Sequence, residues 1–372
     1  MTVPVDLLRG RHQRLQTRLT EAGVQAALIT SRSNVTYLTG FEGSAGVVIV
    51  EADALHLLSD SRYAEEVHAL DRAGLGLCGH VTPAGTGLEV AIAAQLQSLG
   101  ACAVGYEPAA LTVAQFDDLR TRAGGPSSAL RWVAIDAPVE SLRQRKDAWE
   151  LATLREAGRR LSTIAGGILT APLTGRSERD VAALVEAELR RQGFDKPAFD
   201  TIVASGPNGA RPHHRAGDRT LAEGDLVVVD FGGFYRGYAV DMTRTLQLGE
   251  TTQRQREVWT AVLKAQQAAF AALQPGVAAD AVDAEARRVL AEAGVAEFFS
   301  HGLGHGLGLE VHEAPRLGPR RGGAAGAPLE AGMVFTLEPG VYIPGWGGVR
   351  IEDDVVMTPS GPEWLTAPMV EG

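Results

Sequence analysis

Apolar and polar positions change over in short blocks through the first third of the chain, then settle into longer helical periods. Residues 24–30, 47–50, 55–58, 102–106 and 132–135 are apolar runs of strand length, whereas 62–70 and 88–99 have helical spacing. Strands and helices interleaved in this way predict an α/β layer domain with a mixed sheet over residues 1–137. An amphipathic helix over residues 1–19, carrying Arg9, Arg11, Arg14 and Arg18, opens it. Asp136-Ala-Pro138 breaks the pattern, and residues 139–169, rich in charge, Ala and Leu, predict one long helix at the head of a second domain, 138–372.

That second domain repeats itself. Gly175, Val181, Leu189 and Gly193 recur as Gly276, Val282, Leu290 and Gly294, each 101 residues later. Each block reads as a turn, an amphipathic helix and a glycine stop. Leu221-Ala-Glu-Gly-Asp-Leu-Val-Val-Val-Asp230 then matches Leu329-Glu-Ala-Gly-Met-Val-Phe-Thr-Leu-Glu338, now 108 residues apart. Two blocks repeated in the same order predict a duplicated half-domain, with an acid closing one apolar strand in each half.

Each of those acids has a second acid within hairpin reach. A turn centred between Tyr235 and Arg236 sets Asp230 opposite Asp241. A looser turn centred on Gly345, in Pro344-Gly-Trp-Gly-Gly348, sets Glu338 opposite Glu352, with Arg350 on the same side of its strand as Glu352. Opposed residues have Cβ atoms roughly 4.5–5.5 Å apart. Carboxylates held that close repel unless a cation lies between them. Asp353 and Asp354 read as structural or solvated acids.

Three histidines, His301, His305 and His312, lie in His301-Gly-Leu-Gly-His305-Gly-Leu-Gly-Leu-Glu-Val-His312. Its alternating glycines disfavour a helix and let another backbone approach closely. Extended, the segment puts His301 and His305 on one face. His213 and His214 sit in a second, loop-like stretch. Four carboxylates and at least one imidazole make a hard, oxygen-rich donor set, suited to Mn²⁺, Co²⁺, Zn²⁺ or Mg²⁺. Four acids exceed the needs of one ion but suit two that share carboxylates, an arrangement used in hydrolysis.

Composition and charge narrow the remaining possibilities. Of 372 residues, 45 % are hydrophobic and 22 % charged, which is ordinary for a globular protein, and the net charge of −10 argues against nucleic acid or an anionic membrane as partner. No apolar run is long enough to span a bilayer or to serve as a secretory segment, so a cytoplasmic location is the expectation. Cys78 and Cys102, each in a short apolar run, are expected to be reduced, buried thiols. Residues 37–46 are glycine-rich but lack phosphate-loop spacing.

With these motifs together, the chain resembles the pita-bread metallopeptidases over nearly its whole length, and within them the Xaa-Pro peptidases, prolidase and aminopeptidase P. Tyr37-Leu-Thr-Gly-Phe41 and Asp60-Ser-Arg-Tyr63 are similar to the creatinase/prolidase N-terminal domain. The resemblance implies an α+β pita-bread C-terminal domain with a pseudo-two-fold repeat. It implies two divalent ions, Mn²⁺ foremost with Co²⁺ or Zn²⁺ as alternatives, held by Asp230, Asp241, His305, Glu338 and Glu352. It implies Glu338 as proton shuttle, His213 and His312 as catalytic groups beside the substrate, and His301, Arg316 and Arg350 as further substrate contacts. It also implies a homodimer acting on Xaa-Pro peptides, with dipeptides favoured and an aminopeptidase P acting on longer peptides as the alternative. Arg32 and Arg62 are further candidates for the substrate's C-terminus, against plainer roles in a surface turn and a helix-start ion pair. Methionine aminopeptidase fits less well because it usually lacks the N-terminal domain, and creatinase because it lacks the ligands. A catalytically inactive pita-bread binding protein fits less well still, since every ligand position is kept.

Overall fold

The computed structural model describes residues 3–100, 102–320, 322 and 326–370. Met1 and Thr2, at the head of the expected first helix, lie outside the described residues; the helix itself runs Val5–Glu21. The chain divides into two units, Met1–Arg143 and Gln144–Gly372.

The first unit is built on a six-stranded mixed sheet, ordered Leu77–Thr82, Leu55–Asp60, Gly46–Val50, Ala26–Ile29, Ala103–Tyr106, Arg131–Ala134. Strand Ala26–Ile29 is buried along its whole length, as its uninterrupted apolar run requires. Leu28, Ile49, Leu58 and Val104 from the sheet pack with Ile92, Leu96 and Leu119 from helices Leu88–Ser98 and Val113–Arg122. Cys78 and Cys102 are free thiols, but they are not buried as expected: Cys78 is exposed and Cys102 half-buried. Cys78 lies on the edge strand Leu77–Thr82, where alternate side chains pass beyond the covering helices. Arg62 pairs with Asp60 at 2.7 Å, the helix-start ion pair expected of it, whereas Arg32 opens helix Arg32–Thr39 rather than sitting in a surface turn and donates to the Glu42 carbonyl at 2.7 Å.

The single long helix expected from residue 139 is two helices. Glu140–Arg143 stays with the first unit, because Asn34 donates to Glu140 and Arg143 donates to Asn34, each at 2.8 Å. The break follows from two local bonds. The Lys146 amide donates to the Gly332 carbonyl at 2.8 Å, and the Asp147 carboxylate accepts from the Trp149 and Glu150 amides, capping helix Ala148–Thr170. The division between units therefore falls a few residues beyond the Asp136–Pro138 break.

The second unit is α+β and duplicated. Helices Glu178–Arg191 and Ala279–Glu292 each end before a left-handed glycine, Gly193 (φ +82°) and Gly294 (φ +68°). Gly175 donates to the Leu221 carbonyl as Gly276 donates to that of Leu329, and the bridges Ser177–Thr220 and Ala278–Pro328 repeat the same separations. The strands that follow, Leu226–Tyr235 and Val334–Leu337, lie in a four-stranded and a five-stranded sheet. Val262, Leu263, Val282, Leu290, Phe335 and Val355 form part of the core under the second half. Glu338 follows the end of its strand as expected, but Asp230 lies mid-strand, because the chain stays extended through Gly232 and Gly233 to the turn after Tyr235.

Candidate metal centre

The first acid pair lies on the hairpin of Leu226–Tyr235 and Tyr238–Gln247. Its register differs from the expected one. Asp230 faces Thr243, and Asp241 faces Gly232, so the two acids are diagonal neighbours on one face rather than direct partners. The cause is the turn. Arg236 (φ +49°) and Gly237 (φ +77°) both take left-handed conformations, as a tight two-residue hairpin loop requires. That centres the turn one residue later than expected. Diagonal side chains are still within reach across a ladder.

The displaced register gives Thr243 a place in the site. It bridges to Glu352: the Glu352 amide donates to the Thr243 carbonyl at 3.1 Å, and Thr243 Oγ1 donates to Glu352 Oε2 at 2.6 Å. One threonine thus ties an acid of the second half to the strand carrying both acids of the first. The second hairpin, Gly340–Ile343 with Gly347–Arg350, has the register that faces Glu338 with Glu352 just beyond its open end.

His305 lies on the short strand Gly304–Gly306, between Val334–Leu337 and Glu313–Leu317. Its flanking glycines are needed for close approach: a Cβ on Gly304 would lie 2.0 Å from the Thr336 carbonyl oxygen, and one on Gly306 2.2 Å from that of Ala314. His305 Nδ1–H donates to the Gly306 carbonyl at 3.1 Å, which leaves the Nε2 lone pair facing Glu338 Oε1 at 3.5 Å. Asp241, His305 and Glu352 each offer a donor atom within 4.8 Å of the others.

The electrostatics of this cluster ask for cations. Burial first, and then the neighbouring carboxylates Glu352 and Asp230, hold Asp241 well above the usual carboxylate range. Burial and Glu352 do the same to Glu338, and burial with Asp230 pushes Glu352 up to about 8. Asp230 Oδ1 and Asp241 Oδ1 are buried and accept no hydrogen bond, an arrangement costly in any protein unless something else binds there. Burial holds His301 and His305 down to about 4, so both imidazoles are neutral near pH 7 and able to ligate or accept. Hard oxygen donors, orphaned acceptors and a neutral imidazole fit divalent cations. Asp230, Asp241, His305, Glu338 and Glu352 are the residues that could hold them.

These five line a cavity of about 720 Å³ together with His213, His301, His312, Arg316 and Arg350. His301 uses both ring nitrogens internally: Nδ1–H donates to the Gly302 carbonyl and Nε2 accepts from Tyr342, each at 2.8 Å. His312 stacks edge-on against His305, with ring centroids 4.3 Å apart, and is exposed to the cavity. Arg316 faces His305 directly across the ladder, is exposed, and has no carboxylate within ion-pair distance among the described residues. Arg350 is buried and committed elsewhere: it donates to Asp230 at 2.5 Å, to Thr243 Oγ1 at 3.0 Å and to the Tyr342 hydroxyl at 2.8 Å.

Five residues in and around the site were missed or undervalued in the sequence. Thr243, two positions from Asp241, and Thr336, two positions from Glu338 and donating to it at 3.4 Å, were findable from strand period; Tyr342 carries no such signal. Asp354 is structural but not solvated: it is buried, and its Oδ2 accepts the Asp241 amide at 3.0 Å. Asp353 is likewise buried, paired with Arg244 at 2.6 Å.

An oxygen-rich cluster of this kind, sunk in a cavity large enough for a short peptide, has the makeup of a metal-dependent hydrolase site. The chain belongs to metallopeptidase family M24, which its residues 152–359 match, while residues 11–145 match the creatinase/prolidase N-terminal domain. Among curated relatives, an uncharacterised peptidase of Bacillus subtilis, YqhT, is 37 % identical over 354 residues, covering 95 % of this chain and 97 % of that protein. Among solved structures, a Xaa-Pro dipeptidase from Bacillus anthracis superposes with a TM-score of 0.89 at 33 % identity, covering 98 % of this chain and 99 % of the other. An X-Pro aminopeptidase from Thermotoga maritima does so with a TM-score of 0.84 at 32 % identity, covering 96 % and 97 %.

Proposed function

We propose that this protein hydrolyses the bond between an N-terminal residue and a following proline, and that it acts on Xaa-Pro dipeptides in preference to longer peptides. The second unit is the catalytic one in this reading. The similarity to the Bacillus anthracis dipeptidase supports the bond cleaved. The observation that carries the preference for dipeptides is Arg316, a cation with no ion pair among the described residues, directly across the ladder from His305. A dipeptide presents a free carboxylate immediately after its proline, and an arginine fork is suited to it.

Asp230, Asp241, His305, Glu338 and Glu352 would hold two divalent ions, Mn²⁺ foremost, which when bound would acidify a water and polarise the scissile carbonyl. Glu338 is the proton carrier: it takes a proton from the attacking water and passes it to the leaving proline nitrogen. His213 and His312 donate to the substrate carbonyl and to the oxyanion that develops from it. Because the proline nitrogen has no N–H, selection depends on shape, and Phe199, Ile202 and Leu317 supply apolar wall to the cavity. Arg350 is reassigned from the substrate to Asp230, which it anchors.

The similarity to the Thermotoga maritima X-Pro aminopeptidase supports a second reading, in which longer Xaa-Pro peptides are the better substrates. A panel of Xaa-Pro dipeptides against Xaa-Pro-Yaa peptides, with bound metal measured in parallel, separates the two. Faster turnover of dipeptides is expected; a wide preference for tripeptides and longer would assign the second activity. We also read the protein as a cytoplasmic homodimer; no helix among the described residues is long and apolar enough to cross a membrane.

A further inference from the structure

The loop that carries His213 to the cavity is held by a carboxylate outside the candidate metal centre. Glu178 is fully buried at the first turn of helix Glu178–Arg191, where the helix N-terminus favours a negative charge. Its Oε1 accepts from the Ser205 amide at 2.9 Å, the Ser205 hydroxyl at 2.7 Å and Asn208 Nδ2 at 2.8 Å. Its Oε2 accepts from His214 Nε2–H at 2.8 Å and from the Gly217 amide at 3.1 Å. Ser205 and Gly217 are the two ends of the loop, and His214 is the immediate neighbour of His213.

The loop is fixed from the opposite side as well. A Cβ on Gly348 would lie 2.0 Å from the Gly209 carbonyl oxygen, so the loop packs backbone to backbone on the strand that bears Arg350. Between these two anchors His213 reaches the cavity that His301 and His312 also line.

We propose that Glu178 is a positioning residue for catalysis, whose carboxylate sets the pose of His213 through His214 and both ends of the 205–217 loop. The inference rests on the reading of His213 as a group that touches substrate. Five donors converge on one carboxylate, which is more than helix capping needs. A glutamine there keeps the shape but turns one end from acceptor to donor, so either the Ser205–Asn208 end or the His214–Gly217 end loses its partner. Misplacement of a catalytic group by about 1 Å costs on the order of 10²-fold in rate.

The test is a double-mutant cycle on the Mn²⁺-loaded full chain, with His213→Ala, Glu178→Gln and the pair, reading kcat and KM for one Xaa-Pro dipeptide, bound metal and thermal midpoint. Expected are a loss in kcat on the order of 10-fold to 10²-fold for Glu178→Gln, with metal content unchanged and little change in KM, and a double variant no slower than His213→Ala alone. A lower thermal midpoint is expected on either reading, since one end of the carboxylate loses its partner; a merely structural role would multiply with His213→Ala, and that result overturns the proposal. Wild-type kinetics in Glu178→Gln overturn it too. Full activity of His213→Ala would overturn the reading of His213 itself and this inference with it, whereas additivity overturns the inference alone. If Glu178→Gln does not accumulate folded, His214→Ala takes its place in the cycle, with the same outcomes deciding.

Discussion

The guanidinium of Arg350 sits 2.5 Å from Asp230 Oδ2, and both residues are buried. The same guanidinium reaches Tyr342 and Thr243, and Tyr342 in turn donates to His301. Arg350 is thus the fixed cation of the site. Arg350→Ala leaves Asp230 buried without its partner, and breaking such a pair costs about 3–5 kcal/mol. A large fall in thermal midpoint is expected, with KM affected alike for dipeptides and longer peptides. Unchanged stability with a KM effect confined to dipeptides would return Arg350 to the substrate.

Arg316 should behave in the opposite way. Its side chain is exposed on the cavity wall and has no ion pair among the described residues to lose. A hydrogen-bonded contact to a charged group is worth about 1.5–3 kcal/mol. Arg316→Ala should therefore raise KM for Xaa-Pro dipeptides roughly 10-fold to 100-fold, leave the thermal midpoint in place, and change tripeptide kinetics far less. Equal effects on both substrate lengths would show that the dipeptide carboxylate is held elsewhere.

Glu338→Gln removes the proton carrier and weakens a candidate ligand. A fall in kcat on the order of 10²-fold or more is expected, within the range for general acid–base groups. Comparable losses at Asp353→Asn, in a protein that still binds metal, would move the proton transfer away from Glu338.

Chelation should abolish activity, and Mn²⁺ or Co²⁺ should restore it. Stripped protein should also lose stability as pH rises from 6.5 to 8. Burial and Asp230 raise the folded pKa of Glu352 to about 8, so in this window the folded state still holds a proton that the unfolded chain has released. Each step up in pH then favours the unfolded chain. The histidines, with folded pKa values near 4, oppose this only below 6.5. Thermal midpoints measured with and without chelator decide it: a flat or rising profile in stripped protein would mean the acids are not crowded as described.

Gly304 offers a packing test of the site. Its absent side chain leaves room for the Thr336 carbonyl, 2.0 Å from where a Cβ would stand. Gly304→Ala must push that strand away, at a cost of about 1–3 kcal/mol, and should carry His305 out of place with a loss of bound metal. Normal metal content and activity in this variant would show that the strand can yield without cost.

Much of this protein was legible along the chain because its chemistry follows local rules. An acid at the end of an apolar run, repeated after 108 residues, marks Asp230 and Glu338 without any knowledge of packing, although the strand through Asp230 continues to Tyr235. Strand alternation puts Arg350 on the side of Glu352, and the glycines around His305 announce a close backbone contact that the fold makes with Thr336 and Ala314. The register facing Glu338 with Glu352 also follows from the turn residues alone. The first hairpin does not, because whether Arg236 accepts a left-handed backbone depends on the twist of the strands it joins. That one-residue shift of the turn replaced an Asp230–Asp241 pair with Asp230–Thr243, and so made Thr243 the link to Glu352. The break at Asp147 depends on Gly332, and the partner of Arg350 is Asp230, 120 residues away. Periodicity tells which way a side chain points; only the folded chain decides what it meets there.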